Sequence, residues 1–274
     1  MSPNHPELRQ QALLILAQTD PAQKVAQTMA LQQQYQVGHI GLDTAIHLSD
    51  AGQDIPGRPA KPELVPPLNV KRRTMRTLEG RAILLHALCH IEFNAINLAL
   101  DAIWRFPAMP IDYYVDWLKV AAEEALHFSL LAQHLTTLGF EYGDFPGHDT
   151  LWEMVAKTQE DILARMALVP RTMEARGLDA APSTRNKLSQ IGDEAGAAII
   201  DIILRDEIGH VAIGNRWYAH ICAERGLEPV AEYAKLTVQY KAPKLRGPFN
   251  LDARRAAGFT EAELGALHAM QETN

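Results

Sequence analysis

Cysteine is scarce in this chain. Only Cys89 and Cys222 occur, each inside apolar helical sequence and neither with a C-x-x-C partner. That excludes a disulfide framework or a cysteine-rich zinc knuckle, and a reducing cytoplasmic setting is expected. Glycine-rich phosphate loops and serine-nucleophile elbows are also missing, which removes the commonest nucleotide and acyl-transfer chemistries. The most apolar run, residues 195–204, is interrupted by Asp201 and is too short to span a bilayer, so no membrane partner is expected. The start, Met1-Ser2-Pro3-Asn4-His5, lacks the basic-then-apolar pattern of a secretory signal. Basic charge is in deficit: the formal net charge is −7, against a surface devoted to phosphate backbones. One basic run, Lys71-Arg72-Arg73 with Arg76, is local and reads as a solvated helix start.

With 274 residues, 47% of them hydrophobic, the chain can bury a large core. Its apolar spacing is helical almost throughout. Residues 6–35 read as helix with a break at Asp20-Pro21. Pro56, Pro59, Pro62, Pro66 and Pro67 make residues 52–69 an extended strap. A long helix is expected over about 74–105, ending at Phe106-Pro107, and a second over 111–138, ending at Gly139. A third begins near Thr150, is kinked by Pro170 and ends at Arg176-Gly177-Leu178-Asp179. A short helix over 183–191, a fourth long helix over 193–225 and a tail helix over 229–240 complete the pattern. The expected organisation is N-terminal helices and a proline strap in residues 1–70, a helical bundle in 71–226, and a C-terminal helix and tail packed on it in 227–274.

Two copies of one motif carry the chemistry. Glu124-Ala-Leu-His127 and Glu207-Ile-Gly-His210 are both E-x-x-H, and a lone glutamate lies upstream of each: Glu92, 32 residues before Glu124, and Glu174, 33 before Glu207. Residues i and i+3 share a helix face, so each motif presents a carboxylate and an imidazole together. Two such helices, plus one glutamate from each of two others, are the ligand pattern of a carboxylate-bridged dinuclear metal site in a ferritin-like four-helix bundle. Glu92 lies 14 residues before Phe106 and Glu124 lies 13 after Ile111. At about 1.5 Å rise per residue the two therefore meet at one level of an antiparallel pair.

Glu92 shares its stripe with Leu85, Leu88, Cys89, Ala95, Ile96 and Ala99, where a carboxylate alone would cost several kcal/mol unless paired or metal-bound. Glu160 is the substitute should Glu174 not serve. Asp206 precedes Glu207 and is placed to orient a ligand imidazole, that of His127 on the facing helix, by accepting its far N–H. His90 falls about 200° around the helix from Glu92 and reads as a packing or hydrogen-bonding residue, and His134 as a partly exposed one. Hard oxygen ligands with two imidazoles suit two ions of iron, or iron with manganese.

The blocks His90-Ile-Glu92, Glu124-Ala-Leu-His127-Phe128, Glu174-Ala-Arg-Gly-Leu-Asp179, Asp206-Glu-Ile-Gly-His210-Val211 and Gly247-Pro-Phe-Asn250, with Arg254 and Ala257-Gly-Phe259, resemble a bacterial ferritin-like family known mainly as a domain of unknown function. The resemblance spans about residues 70–260. It implies an all-α fold, a ferritin-like four-helix bundle with extra N- and C-terminal helices, and Glu92, Glu124, His127, Glu174, Glu207 and His210 as ligands. It names no catalytic residue and no substrate. A diiron tRNA hydroxylase shares only the ligand pattern, so an RNA-borne substrate stands beside a small molecule by analogy alone.

Three function classes fit this pattern. The first is a dinuclear-metal oxidoreductase that uses dioxygen to oxidise or hydroxylate its substrate. The others are an iron-oxidising storage protein and a non-catalytic metal-binding bundle. A homodimer is compatible with each. In the tail, Lys244, Arg246, Asn250, Arg254 and Arg255, with Arg176 and Asp179, offer either an anionic substrate's entrance or a clamp of the tail through acidic partners.

Overall fold

A computed structural model describes residues 6–70 and 74–272; the basic run at 71–73 and the first five residues lie outside these. Among the described residues every regular element is helical, and the only extended pairings are isolated bridges, Glu7 with Gly41 and Leu64 with Gly147. The chain divides into two units, residues 1–150 and 151–274.

In the first unit, α1 (Leu8–Leu16) and α2 (Pro21–Gln36) cover a long hairpin of α3 (Leu78–Arg105) and α4 (Ile111–Thr137), α1 against α3 and α2 against α4. The starts are set by side-chain caps: Asp20 accepts from the Gln23 amide and Thr77 from that of Gly80. Pro110 stands just before α4, and Ala108 adopts a left-handed φ of 62° to turn the hairpin.

The far end of α3 is finished by a residue from another helix. Arg9 on α1, 1% exposed, donates to the carbonyls of Ile103 at 3.2 Å and Trp104 at 2.7 Å, two of the terminal carbonyls a helix cannot satisfy itself. Lys24 on α2 is buried too, its ammonium donating to Leu16 O, Gly57 O and Asn97 Oδ1 at 3.0, 3.1 and 2.5 Å. It thereby ties α1, the proline strap and α3 together. By length and composition α3, rather than residues 195–204, is the segment that could cross a membrane; yet 72% of its most apolar window is buried within the fold.

In the second unit, α5 (Thr150–Lys157) and α6 (Ile162–Leu168) lead into a π-helical segment, Val169–Glu174, which runs into α7 (Ala175–Gln190). A three-residue turn, with Gly192 at a φ of 79°, then reverses the chain into α8 (Glu194–Glu224), capped by Asp193. The helices α9 (Pro229–Gln239), α10 (Leu251–Ala256) and α11 (Glu261–Glu272) complete it. Ala175, Leu178, Val211, Ala253, Ala257, Phe259 and Leu264 form one apolar cluster there.

The expected third helix needs three corrections. It breaks after Lys157, where the buried Arg165 donates to Thr158 Oγ1 and Val155 O at 2.9 and 2.7 Å. Pro170 widens the helix to a π turn rather than merely bending it. It does not stop at 176–179: α7 absorbs both that block and the expected 183–191 helix, with Pro182 inside it. A proline gives the carbonyl four residues back no donor. Here that carbonyl is Leu178 O, and Asn250 Nδ2 donates to it at 3.2 Å instead. The tail also holds two helices, α10 and α11, beyond the one expected.

Candidate metal centre

Within the first unit, α3 and α4 bring Glu92, Glu124 and His127 together. Each offers a ligand atom within 4.8 Å of the others, and their exposures are 4%, 0% and 0%. His127 Nδ1 lies 3.2 Å from Glu124 Oε2. Glu92 Oε2 stands 3.6 Å from the same nitrogen, beyond hydrogen-bond reach, so its effect on the imidazole is electrostatic. The agreement in level between residue 92 and residue 124 comes from the hairpin and the rise of the helix.

Burial, and then the neighbouring Glu124 charge, push the Glu92 carboxyl well above its ordinary 4.5. Burial alone would lower the His127 pKa from 6.5, but the Glu124 hydrogen bond and the two adjacent carboxylates outweigh it and raise it to about 11. Without a metal ion, this cluster holds protons.

Both shifts have the same sign for stability. His127 stabilises the metal-free fold fully below pH 6.5, and this is lost as pH rises through about 11. Glu92 likewise favours the fold below 4.5 and ceases to do so as pH rises through its elevated folded value. Lys24 acts in the opposite direction, because burial and then Arg58 lower it from 10.5 to about 7. The informative quantity is therefore the melting-temperature difference between wild type and His127→Gln in chelator. That difference should shrink steadily from pH 6.5 towards 11, and a difference that grows would contradict the assignment. Metal affinity should rise over the same range, since the ion must displace the proton.

In the second unit, Glu207 and His210 occupy one face of α8, buried at 8% and 0%, with His210 Nδ1 3.8 Å from Glu207 Oε1. Glu174, 9% exposed, is the last residue of the π segment. Glu160, the substitute, lies in the break between α5 and α6 and is exposed. Asp206 accepts from Arg205 Nε at 2.8 Å and Nη2 at 2.9 Å. Its counterpart on α4, Glu123, pairs with Lys119 at 3.3 Å.

The polar stripe on α3 is absorbed by hydrogen bonds. His90 Nε2 donates to His148 O at 3.1 Å, leaving Nδ1 to accept from the Tyr142 hydroxyl at 2.9 Å. His86 Nε2 accepts from the Gly143 amide at 2.9 Å. Burial lowers both histidines to about 4, so they are neutral near pH 7. Asp101 holds Arg105 at 2.6 Å.

The tail clamps. Arg254, 1% exposed, donates to both carboxylate oxygens of Asp179 at 3.0 and 2.6 Å and to Ala175 O at 3.3 Å, while the Asn250 amide donates to Asp179 Oδ1 at 2.9 Å. Arg255 pairs with Glu261 and Asp252. Lys244, Arg246 and Arg176 are exposed.

Sequence reasoning missed Lys24 and Arg171, both buried. Their partners lie far along the chain, at residues 57 and 97 for Lys24 and at 215 and 263 for Arg171, so nothing local marks either.

No solved structure matches this chain. An uncharacterized protein of Haemophilus influenzae is 50% identical over 222 residues, covering 78% of this chain and 77% of that protein. A family model described as "Protein of unknown function (DUF455)" matches residues 17–265, and with that extent of agreement the chain belongs to this family.

Proposed function

We propose that this protein is a dinuclear-metal oxidoreductase of the ferritin-like carboxylate type, in which Glu92, Glu124 and His127 of the first unit and Glu174, Glu207 and His210 of the second hold two ions. The observation that carries this reading is the Glu92–Glu124–His127 cluster, two carboxylates and an imidazole buried together. A pair of buried carboxylates needs compensating positive charge. Divalent ions would supply it in place of the His127 proton, and the oxygen-rich donor set suits iron, or iron with manganese.

The second E-x-x-H, with its own upstream glutamate, supports a two-ion rather than a one-ion site. Asp206 would accept the far N–H of His127 and fix its tautomer. When bound, such a metal pair supplies the redox capacity for dioxygen-dependent oxidation or hydroxylation of a small or RNA-borne substrate.

Metal analysis after anaerobic loading with Fe(II) tests the reading. About two ions per chain, oxidised by dioxygen in a particle of one or two chains, are expected. A chain that retains no metal overturns it. A large mineral-filled particle would establish the storage alternative, and bound metal inert to dioxygen the non-catalytic one.

A further inference from the structure

Glu174 sits at the end of the only π-helical segment among the described residues. A π turn places one extra residue in the helix, and each added residue rotates the rest of the helix by about 100°. The direction in which Glu174 points therefore depends on whether that extra residue is kept. Such a turn persists only where its surroundings over-determine it.

The surroundings do so residue by residue. Pro170 packs on Gly214 of α8, where an added Cβ would come 2.5 Å from the proline Cβ. The Thr172 hydroxyl donates to Ala167 O and also meets the Tyr233 hydroxyl of α9, both at 2.8 Å. Between them, Arg171 is 6% exposed and acts as the node. Its Nη1 donates to Asn215 Oδ1 at 2.6 Å and its Nη2 pairs with Glu263 of α11. The rings of Tyr218, Tyr233 and Phe259 stand 5.1, 5.0 and 4.9 Å from its guanidinium carbon. Asn215 in turn donates to Ala257 O at 2.7 Å.

An apolar residue would fill this space at lower desolvation cost; what it could not provide is direction. The guanidinium fork joins the segment that ends in Glu174 to α8, the helix that carries Glu207 and His210, and to the C-terminal helices.

We propose that Arg171 is a positioning residue that holds the π turn in register and so aims Glu174 at the metal pair. This rests on the reading of Glu174 as a ligand. The test is a Mn(II) titration of the full chain, with stoichiometry, affinity and the electron paramagnetic resonance spectrum of the bound ions, run alongside a thermal melt. Arg171→Lys keeps the charge but loses the fork. It should weaken one of the two Mn(II) equivalents on the order of 10-fold and alter the spectrum in the same way as Glu174→Gln. Glu263→Gln, which takes the charge from the outer partner while keeping an oxygen for the Thr260 cap, should shift the same equivalent in the same direction, and it serves if the lysine variant does not fold.

Variants that melt earlier but bind both equivalents with the wild-type affinity and spectrum would show that Arg171 is only packing, and would overturn the proposal. Wild-type binding by Glu174→Gln would remove Glu174 as the aimed ligand, and the proposal with it, while leaving the metal reading standing. A wild-type chain that takes up no Mn(II) or Fe(II) would remove both.

Discussion

A Glu124→Ala, Glu207→Ala double variant should fold and yet emerge from metal loading with none of its about two ions per chain. Each substitution removes one carboxylate from a different E-x-x-H motif, so the two proposed halves of the site are damaged together. The metal-free fold should survive at reduced stability, because Glu92 still stands beside His127. Glu124 is fully buried and hydrogen-bonds the protonated His127 when no ion is bound, so its removal should lower the metal-free melting temperature, and occupancy is read on the folded fraction. The variant also loses stabilisation by ligand. An ion present at about 1,000 times its dissociation constant raises the stability of wild type by roughly 4 kcal/mol, and the variant's melting temperature should not respond to metal at all. Wild-type occupancy in the variant would remove both glutamates from any site.

Arg254→Leu should produce the largest loss of stability from a residue away from the metal centre. The guanidinium is 1% exposed and its bonds to Asp179 are bidentate. Taking away the buried partner leaves Asp179, 11% exposed, with the Asn250 backbone amide alone, at a cost on the order of 3 kcal/mol, or roughly 10 °C in melting temperature for a chain of this size. The Arg254→Leu, Asp179→Asn pair should be less destabilised than the sum of its single variants, because the stranded charge is then gone as well. Additive losses, or single variants that melt with wild type, would show that the tail is not clamped here.

The long helices were legible because their signals are local. The spacing around Glu92, the stops at Phe106-Pro107 and Gly139, and the start near Asp193 all act within a few residues, and the structure obeys them closely. The approach of Glu92 to Glu124 and His127 was legible for a related reason: a short hairpin turns residue counts into heights. The third helix failed where local rules are overridden from a distance. The Arg176-Gly177-Leu178-Asp179 block predicts a stop, but α7 runs on through it and through Pro182, with Leu178 and Ala175 in the apolar cluster and Asn250 restoring the bond that Pro182 removes. Likewise no spacing rule places Arg171 among three aromatic rings or Lys24 beneath the proline strap. Their roles depend on partners that only the folded chain supplies.

The bond from Asn250 to Leu178 O also makes two distant positions heritable as one. While residue 182 is proline, loss of the amide at 250 strands a carbonyl that the helix cannot serve. Once 182 becomes any residue with an N–H, the helix serves that carbonyl itself, and the bond to Leu178 O no longer constrains position 250. Replacing the proline first therefore frees this bond to be lost afterwards, and losing the bond first is the costly order.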